Sequence, residues 1–72
     1  MTYEEAEEWL TQRGGKADWR EGREGLWRCT VKVSLHDGQA QAHDGHHLSR
    51  QAAFVVAVAN LRSTVGEAIT GA

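Results

Sequence analysis

The sequence has no proline, a single cysteine and no long apolar segment. Because Cys29 has no second cysteine to pair with, no intramolecular disulfide can stabilise the chain, as is typical of a protein of a reducing compartment. The longest apolar run covers residues 52–59 and is too short to span a bilayer. The first residues are acidic, so we expect no secretory signal, no membrane association and a cytoplasmic location.

The length and composition of the chain are those of one small globular domain. The 72 residues are 40% hydrophobic and 25% charged. The net charge of −2 is uneven, because residues 1–12 carry four glutamates and no basic residue, whereas residues 13–32 carry six basic and three acidic residues. The acidic balance argues against strong nonspecific binding of nucleic acid, although a local basic patch can still form. We predict a single domain over residues 1–66 and a short tail at 67–72.

A capping box begins the first predicted helix. Thr2 and Glu5 have the spacing at which each side chain reaches the backbone amide of the other residue. Four apolar residues then share one face of a helix over residues 3–13: Tyr3, Ala6, Trp9 and Leu10. Because the chain has no proline, glycines must provide the turns, and Gly14-Gly15 offers a left-handed helix end.

Two segments with a period of two follow this helix. Residues 16–21 predict a weak edge strand, and a turn with glycines at both ends, residues 22–25, separates them from the next strand. Residues 26–35 alternate so regularly that they predict a strand with one apolar and one polar face.

A third strand is predicted over residues 39–43, after the hairpin signal Asp37-Gly38. Its alternation predicts that Ala40 and Ala42 point inward, where small side chains let a helix approach the sheet. Residues 44–48 are predicted to form a loop, with Gly45 as a turn glycine alongside Gly22 and Gly25.

The second helix is predicted over residues 50–65, with Ser49 as its N-cap and its end near Gly66. Apolar residues recur there at intervals of four, but they cover more than one face of the helix. Either the first helix buries the surplus, or an exposed strip binds a protein partner or a second copy. The candidate partner-binding residues are Val55, Ala59 and Arg62.

The order of elements gives an α+β fold, α-β-β-β-α, with a three-stranded antiparallel sheet. Both helices should pack on one face, because only one face of the long strand is apolar. This arrangement resembles the double-stranded-RNA-binding domain over nearly the whole chain, and best over residues 27–61. The residues that match the family pattern are Trp19, Ser49, Ala53, Ala57, Leu61 and the segment 8–14.

The resemblance implies contacts with duplex RNA through three regions, and the chain departs from the family in each. At the start of the second helix Arg50 keeps one charge, but Gln51 and Phe54 stand where two lysines are expected. The loop at 22–25 lacks the family's proline and histidine. Glu8 matches a minor-groove position of the first helix, but it belongs to a run of glutamates that would repel RNA.

Four histidines lie near the hairpin and the start of the second helix: His36, His43, His46 and His47. With Asp37 or Asp44 they have the chemistry of a metal site, and the alternative is a set of exposed turn residues. No familiar ligand spacing is present, so we predict no metal and no cofactor. His46 and His47 beside Arg50 are also candidates for a small anion-binding surface.

No residue set predicts catalysis. Cys29 falls on the apolar face of its strand and is predicted to be a core residue, and no nucleophile–base pair or paired carboxylate has suitable spacing, so we predict no enzyme. On the opposite face, Arg20, Arg28 and Lys32 can form a phosphate-binding surface or simply keep the sheet solvated.

Two functions remain open. The first is a protein-interaction module, such as a regulator or inhibitor of another macromolecular complex, which is a common role for small acidic phage and bacterial accessory proteins. It rests on the acidity, the missing lysines and the apolar excess of the second helix. The alternative is weak, phosphate-driven binding of duplex RNA or DNA. The candidate residues for that alternative are Arg50, Gln51, His46, His47, Arg28, Lys32 and Glu8.

Overall fold

The fold is a three-stranded antiparallel sheet with two helices, as seen in a computed structural model that describes residues 1–35 and 38–65. The elements in chain order are α1 (Tyr3–Gln12), β1 (Lys16–Glu21), a short 3-10 turn (Arg23–Gly25), β2 (Trp27–Ser34), β3 (Ala40–His47) and α2 (Arg50–Val65). The strands pair in the order β1-β2-β3, so β1 is an edge strand as predicted. The α+β class and the order α-β-β-β-α are confirmed. His36, the turn residue Asp37, the helix end at Gly66 and the tail at 67–72 lie outside the described residues.

Side chains cap the starts of both helices as the sequence predicts. The Thr2 amide donates to Glu5 Oε1 at 2.8 Å, and the Glu5 amide donates to Thr2 Oγ1 at 3.1 Å. At the end of α1, Gly14 adopts the left-handed conformation with φ of +63°. Ser49 Oγ accepts a 3.3 Å hydrogen bond from the Ala52 amide in the first turn of α2.

The helices bury their apolar sides against one face of the sheet. α2 lies across β2 and β3, and α1 packs mainly on α2. The Phe54 ring sits between two others, with its centroid 5.3 Å from that of Tyr3 and 5.8 Å from that of Trp19. The buried side chains are Ala6, Trp9, Leu10, Cys29, Val31, Val33, Ala53, Phe54, Ala57, Val58 and Leu61.

The third strand is longer than predicted. It runs to His47, which pairs with Trp27 at the far end of β2. The predicted loop over residues 44–48 is therefore wrong for every residue but Leu48. This extension could not be predicted from the sequence, because Asp44, Gly45 and the two histidines have low strand propensity. Pairing with β2, whose residues strongly favour a strand, overrides that propensity.

The two faces of β3 are also exchanged relative to the prediction. Gln41 and His43 lie opposite the buried valines of β2, on the helix side, and Ala40 and Ala42 are exposed on the outer face. The predicted inward direction of both alanines is thus wrong. A shift of one residue in register exchanges the faces of a strand, and alternating alanine, glutamine and histidine give too weak an apolar signal to fix it.

The small residue that lets a helix approach the sheet is Gly45. It was expected in a turn, but it lies within β3 opposite Cys29 and is buried under α2. A Cβ atom at Gly45 would overlap the Ala53 carbonyl oxygen and the Ala57 nitrogen, and it would lie 3.0 Å from Ala57 Cα. Helix backbone therefore rests almost directly on strand backbone at this position.

Two hydrogen bonds also fix α2 along β3. Asn60 Nδ2 donates to the Asp44 carbonyl oxygen at 3.3 Å, and Thr64 Oγ1 lies 2.8 Å from His43 Nε2. These contacts lie one and two turns of α2 beyond the Gly45 contact, so they hold the helix along the strand, with the two chains running in opposite directions.

We expect Gly45→Ala to destabilise the domain by about 1–3 kcal/mol, because the helix must move away to admit the new methyl group. In a domain of this size that loss lowers Tm by about 4–8 °C per kcal/mol. Thermal unfolding followed by circular dichroism measures the change.

Ala42→Ser is the control for Gly45→Ala, since Ala42 lies in the same strand on the exposed outer face. Its Tm should stay within about 2 °C of the parent value, as is usual for surface substitutions. An unchanged Tm for Gly45→Ala would contradict the close contact between α2 and β3.

Candidate binding surfaces

Two tryptophans of the sheet hold the arginine that begins α2. The guanidinium carbon of Arg50 lies 4.9 Å from the ring centroid of Trp27 and 5.3 Å from that of Trp19. Trp19 Nε1 also donates to the Arg50 carbonyl oxygen at 3.1 Å. Cation–π contacts on two rings give Arg50 a structural role in joining α2 to the sheet.

The candidate anion-binding residues near Arg50 separate in the structure. His47 stays close to the start of α2, where its Nδ1 accepts a 3.3 Å hydrogen bond from the Ser49 amide, and Gln51 is exposed in the first turn. His46 pairs with Arg28 and therefore lies on the outer face of the sheet. The structure thus brings His47, Gln51 and Arg50 together and leaves His46 elsewhere.

The outer face of the sheet carries alternating rows of charge. Its rows across β1, β2 and β3 are Lys16, Lys32 and Ala42, then Asp18, Thr30 and Asp44, then Arg20, Arg28 and His46. A row with two carboxylates thus lies between two basic rows. Basic residues also face each other directly in both outer rows, which is unfavourable unless other charges compensate.

Asp44 is the centre of the polar network on this face. Arg28 donates to Asp44 Oδ2 through Nε at 3.0 Å and through its terminal nitrogen at 2.7 Å, and Thr30 Oγ1 donates to Asp44 Oδ1 at 2.7 Å. The Thr30 hydrogen bond, followed by the Arg28 hydrogen bonds and charge, holds the pKa of Asp44 below its usual value. Asp44 was predicted to lie in a loop, so this role was not predicted. The register of β3, which places Asp44 opposite Thr30, would have indicated it.

The exposed side of α2 carries no charge for three turns. No charged residue lies between Arg50 and Arg62. The α2 face, as we name it, consists of the four small apolar residues that are at least partly exposed there: Ala52, Val55, Val56 and Ala59. Val56 is 37% exposed, and Leu48, just before the helix, is 69% exposed.

The neighbouring helix α1 is acidic on its exposed side. Its exposed glutamates are Glu4, Glu5, Glu7 and Glu8. Glu8 accepts a 3.2 Å hydrogen bond from Gln12 Nε2. The Thr2 backbone hydrogen bond lowers the pKa of Glu5, and the charge of Arg62 on α2 acts in the same direction. The candidate residues Val55 and Ala59 therefore lie on the uncharged stretch of α2, and Arg62 ends that stretch, near Glu5 of α1.

The one cysteine of the chain lies in the core. Cys29 is fully buried, and burial, followed by the charges of Asp18 and Asp44, raises the pKa of its thiol to about 11. The thiol therefore stays protonated at neutral pH. Within residues 1–35 and 38–65, no group of three or more histidine, cysteine, aspartate or glutamate side chains is arranged to hold a metal ion.

Comparison with known proteins gives no relative, since no family model, curated protein or solved structure matches the chain. In the part of the chain that the structure describes, no helix has the length and apolar character needed to cross a membrane.

We expect Thr30→Val to raise the pKa of Asp44 toward its usual value, because it removes the largest contribution that lowers this pKa. Arg28→Gln should raise the pKa of Asp44 as well, because it removes hydrogen bonds and a positive charge. Since the folded pKa lies below the unfolded one, Asp44 stabilises the fold above the unfolded pKa and loses this contribution as pH falls through the folded pKa.

NMR titration of the Asp44 carboxyl carbon measures these changes. Thr11→Val, on the exposed side of α1, is the control and should leave the titration of Asp44 unchanged. An unchanged pKa of Asp44 in either variant would contradict its role as the acceptor of this network.

Proposed function

We propose that this protein is a non-catalytic binding module that docks a protein partner on the α2 face, as a regulator or inhibitor of another macromolecular complex. The observation that carries the proposal is the uncharged, partly apolar surface between Arg50 and Arg62, which α1 does not cover completely. Val56 and Ala59 are exposed and take no part in the core. Apolar surface kept outside the core is typical of a site for a partner.

The surface also favours one kind of partner. Alanines and valines on α2 let another helix approach closely, as small residues do at helix–helix contacts. The glutamates of α1 border this surface and would favour lysine or arginine on the partner. The occupant we propose is therefore a basic segment with an apolar strip of its own, for which an amphipathic helix is the simplest form.

The same features favour a protein over duplex RNA. We propose that the domain has the double-stranded-RNA-binding fold, which its order of elements supports, with the RNA-binding surface lost. Phe54, at one expected lysine position, is a core residue that is 3% exposed. Arg50 is engaged by two indole rings, Gln51 is neutral, and Glu8 lies on an acidic helix.

A matched pair of substitutions tests the proposal. Ala59→Glu puts a carboxylate on the α2 face, and Ala42→Glu makes the same change at an exposed alanine on the outer face of the sheet. A partner captured from cells of the source organism and then purified should bind Ala59→Glu at least about tenfold more weakly, as for loss of an interface hot spot. Its affinity for Ala42→Glu should change less than about twofold.

Three results would contradict this proposal. The first is equal weakening of partner binding by both substitutions. The second is tight binding of duplex RNA or DNA that weakens steeply between about 50 and 200 mM salt, which is typical of phosphate-driven binding. The third is a dimer in light scattering that Ala59→Glu dissociates, because the occupant of the α2 face would then be a second copy.

A further inference from the structure

We propose that Lys16, Lys32 and Ser34 form a binding site for a phosphate group on the outer face of the sheet. This site is independent of the α2 face, which lies on the other side of the sheet. It also differs from the surface around Arg50, to which the resemblance to an RNA-binding domain would assign phosphate contacts.

The first argument is a contrast between two equivalent pairs of basic residues. Arg20 and Arg28 face each other across β1 and β2, and each has a carboxylate, with Asp18 3.6 Å from Arg20 and Asp44 2.7 Å from Arg28. Lys16 and Lys32 face each other in the same way. In the described part of the chain, neither lysine has a carboxylate within ion-pair distance.

The uncompensated pair is unfavourable for the free protein. Cβ atoms of directly opposed residues in an antiparallel pair are about 4.5–5.5 Å apart, and like charges at that spacing destabilise the sheet. The two ammonium groups can spread into solvent, but they remain on one face and one row. A bound dianion removes this repulsion, whereas Asp18 and Asp44 already do so for the arginines.

The backbone fixes the position of both lysines. The end of α1 turns at Gly14, and a Cβ atom at Gly15 would lie 2.8 Å from Leu10 Cγ and 3.0 Å from the Lys32 carbonyl oxygen. The helix end is thus packed on β2 directly before Lys16 begins β1. The contact fixes the backbone of the two lysines, so that their flexible side chains start from neighbouring points on one face of the sheet.

Open depressions flank the two lysines on both sides. One of about 200 Å³ is lined by Gly14, Lys16, Lys32, Val33 and Ser34. The other, of about 430 Å³, continues along the sheet past Asp18 and Thr30 to the arginine pair. Ser34 is exposed on the same face as Lys32, two residues further along β2, and its hydroxyl can donate to a phosphate oxygen.

These donors suit a phosphate group that carries two negative charges. Two ammonium groups supply charge and hydrogen bonds, and a hydroxyl adds a neutral donor. Asp18 and Asp44 limit the site to one phosphate, because a strand of successive phosphates crossing the sheet would meet both carboxylates. The group can belong to a small phosphorylated molecule or to the 5′ end of a nucleic acid, and the chemistry of recognition is the same.

The test is an NMR titration of the folded protein at constant ionic strength, which separates binding from screening. The probes are inorganic phosphate, a 5′-phosphorylated dinucleotide and the same dinucleotide without its phosphate. We expect saturable shifts of the Lys16, Lys32 and Ser34 amides with the two phosphorylated probes only. Equal binding of inorganic phosphate and the phosphorylated dinucleotide indicates that the ligand is a small phosphorylated molecule, because the phosphate alone is then recognised. Tighter binding of the dinucleotide indicates a nucleic-acid end.

Three substitutions sharpen the test. Lys32→Gln removes one donor, and Ala42→Glu places a carboxylate directly opposite Lys32. Both should weaken phosphate binding by about fivefold to tenfold, while relief of repulsion raises the phosphate-free Tm by about 1–5 °C. Arg23→Gln, in the exposed turn before β2, makes the same charge change as Lys32→Gln and should alter neither quantity.

The proposal is overturned if no probe gives saturable shifts, or if Arg23→Gln weakens binding as much as Lys32→Gln. It is also overturned if the shifts centre on Arg50 and His47 instead. Because Ala59→Glu leaves this site intact, failure here does not depend on whether the α2 face binds a partner.

Discussion

The structure depends on one close contact, the approach of α2 to β3 at Gly45. Any side chain at this position would meet the backbone of α2 at Ala53 and Ala57. Glycine in the strand and alanine in the helix are the combination that brings two backbones together without a gap or an overlap. The α2 backbone therefore lies closer to the β3 backbone than a larger residue at position 45 would permit.

This contact determines what each face of β3 can do. With Gly45 under the helix, alternation places Gln41 and His43 on the same side and Asp44 on the outer face. His43 then reaches Thr64 of α2, while Asp44 reaches Arg28 and Thr30 of β2. A side chain that a loop would have left in solvent thus becomes the acceptor for the charged network of the sheet.

The sequence predicts the elements well where one residue type dominates a face. The capping box, the apolar row of β2 and the apolar repeats of α2 each repeat a strong signal over several residues. β3 could not be predicted in the same way, because its inward positions are glutamine, histidine and glycine. Their burial is decided by the partner strand and the helix, which are tertiary contacts that local patterns do not encode.

The two candidate surfaces also differ in how far the sequence predicts them. The uncharged stretch of α2 can be seen in the sequence, because the helical period indicates which of its residues face away from the core. The contrast between the two basic pairs cannot be seen in the sequence, because it depends on the pairing of the strands and on which basic side chains form ion pairs with the carboxylates between them. Asp44 lies opposite Thr30, with Arg28 and Lys32 as its two diagonal neighbours, and only the side-chain contacts show that it pairs with Arg28.

The net charge of −2 is consequently a poor guide to what the protein binds. The negative charge is concentrated on α1, and the outer face of the sheet carries two uncompensated lysines. The molecule measures 39 × 23 × 17 Å between its outermost Cα positions, and its shortest dimension exceeds the Debye length of about 8 Å at physiological salt. A ligand near the sheet therefore experiences the lysines with little influence from the glutamates, and a partner near α2 experiences the reverse. A basic surface on the sheet and an uncharged surface beside the acidic α1 can therefore act separately on a domain of this size, because the dissolved ions screen the charges of one from the other.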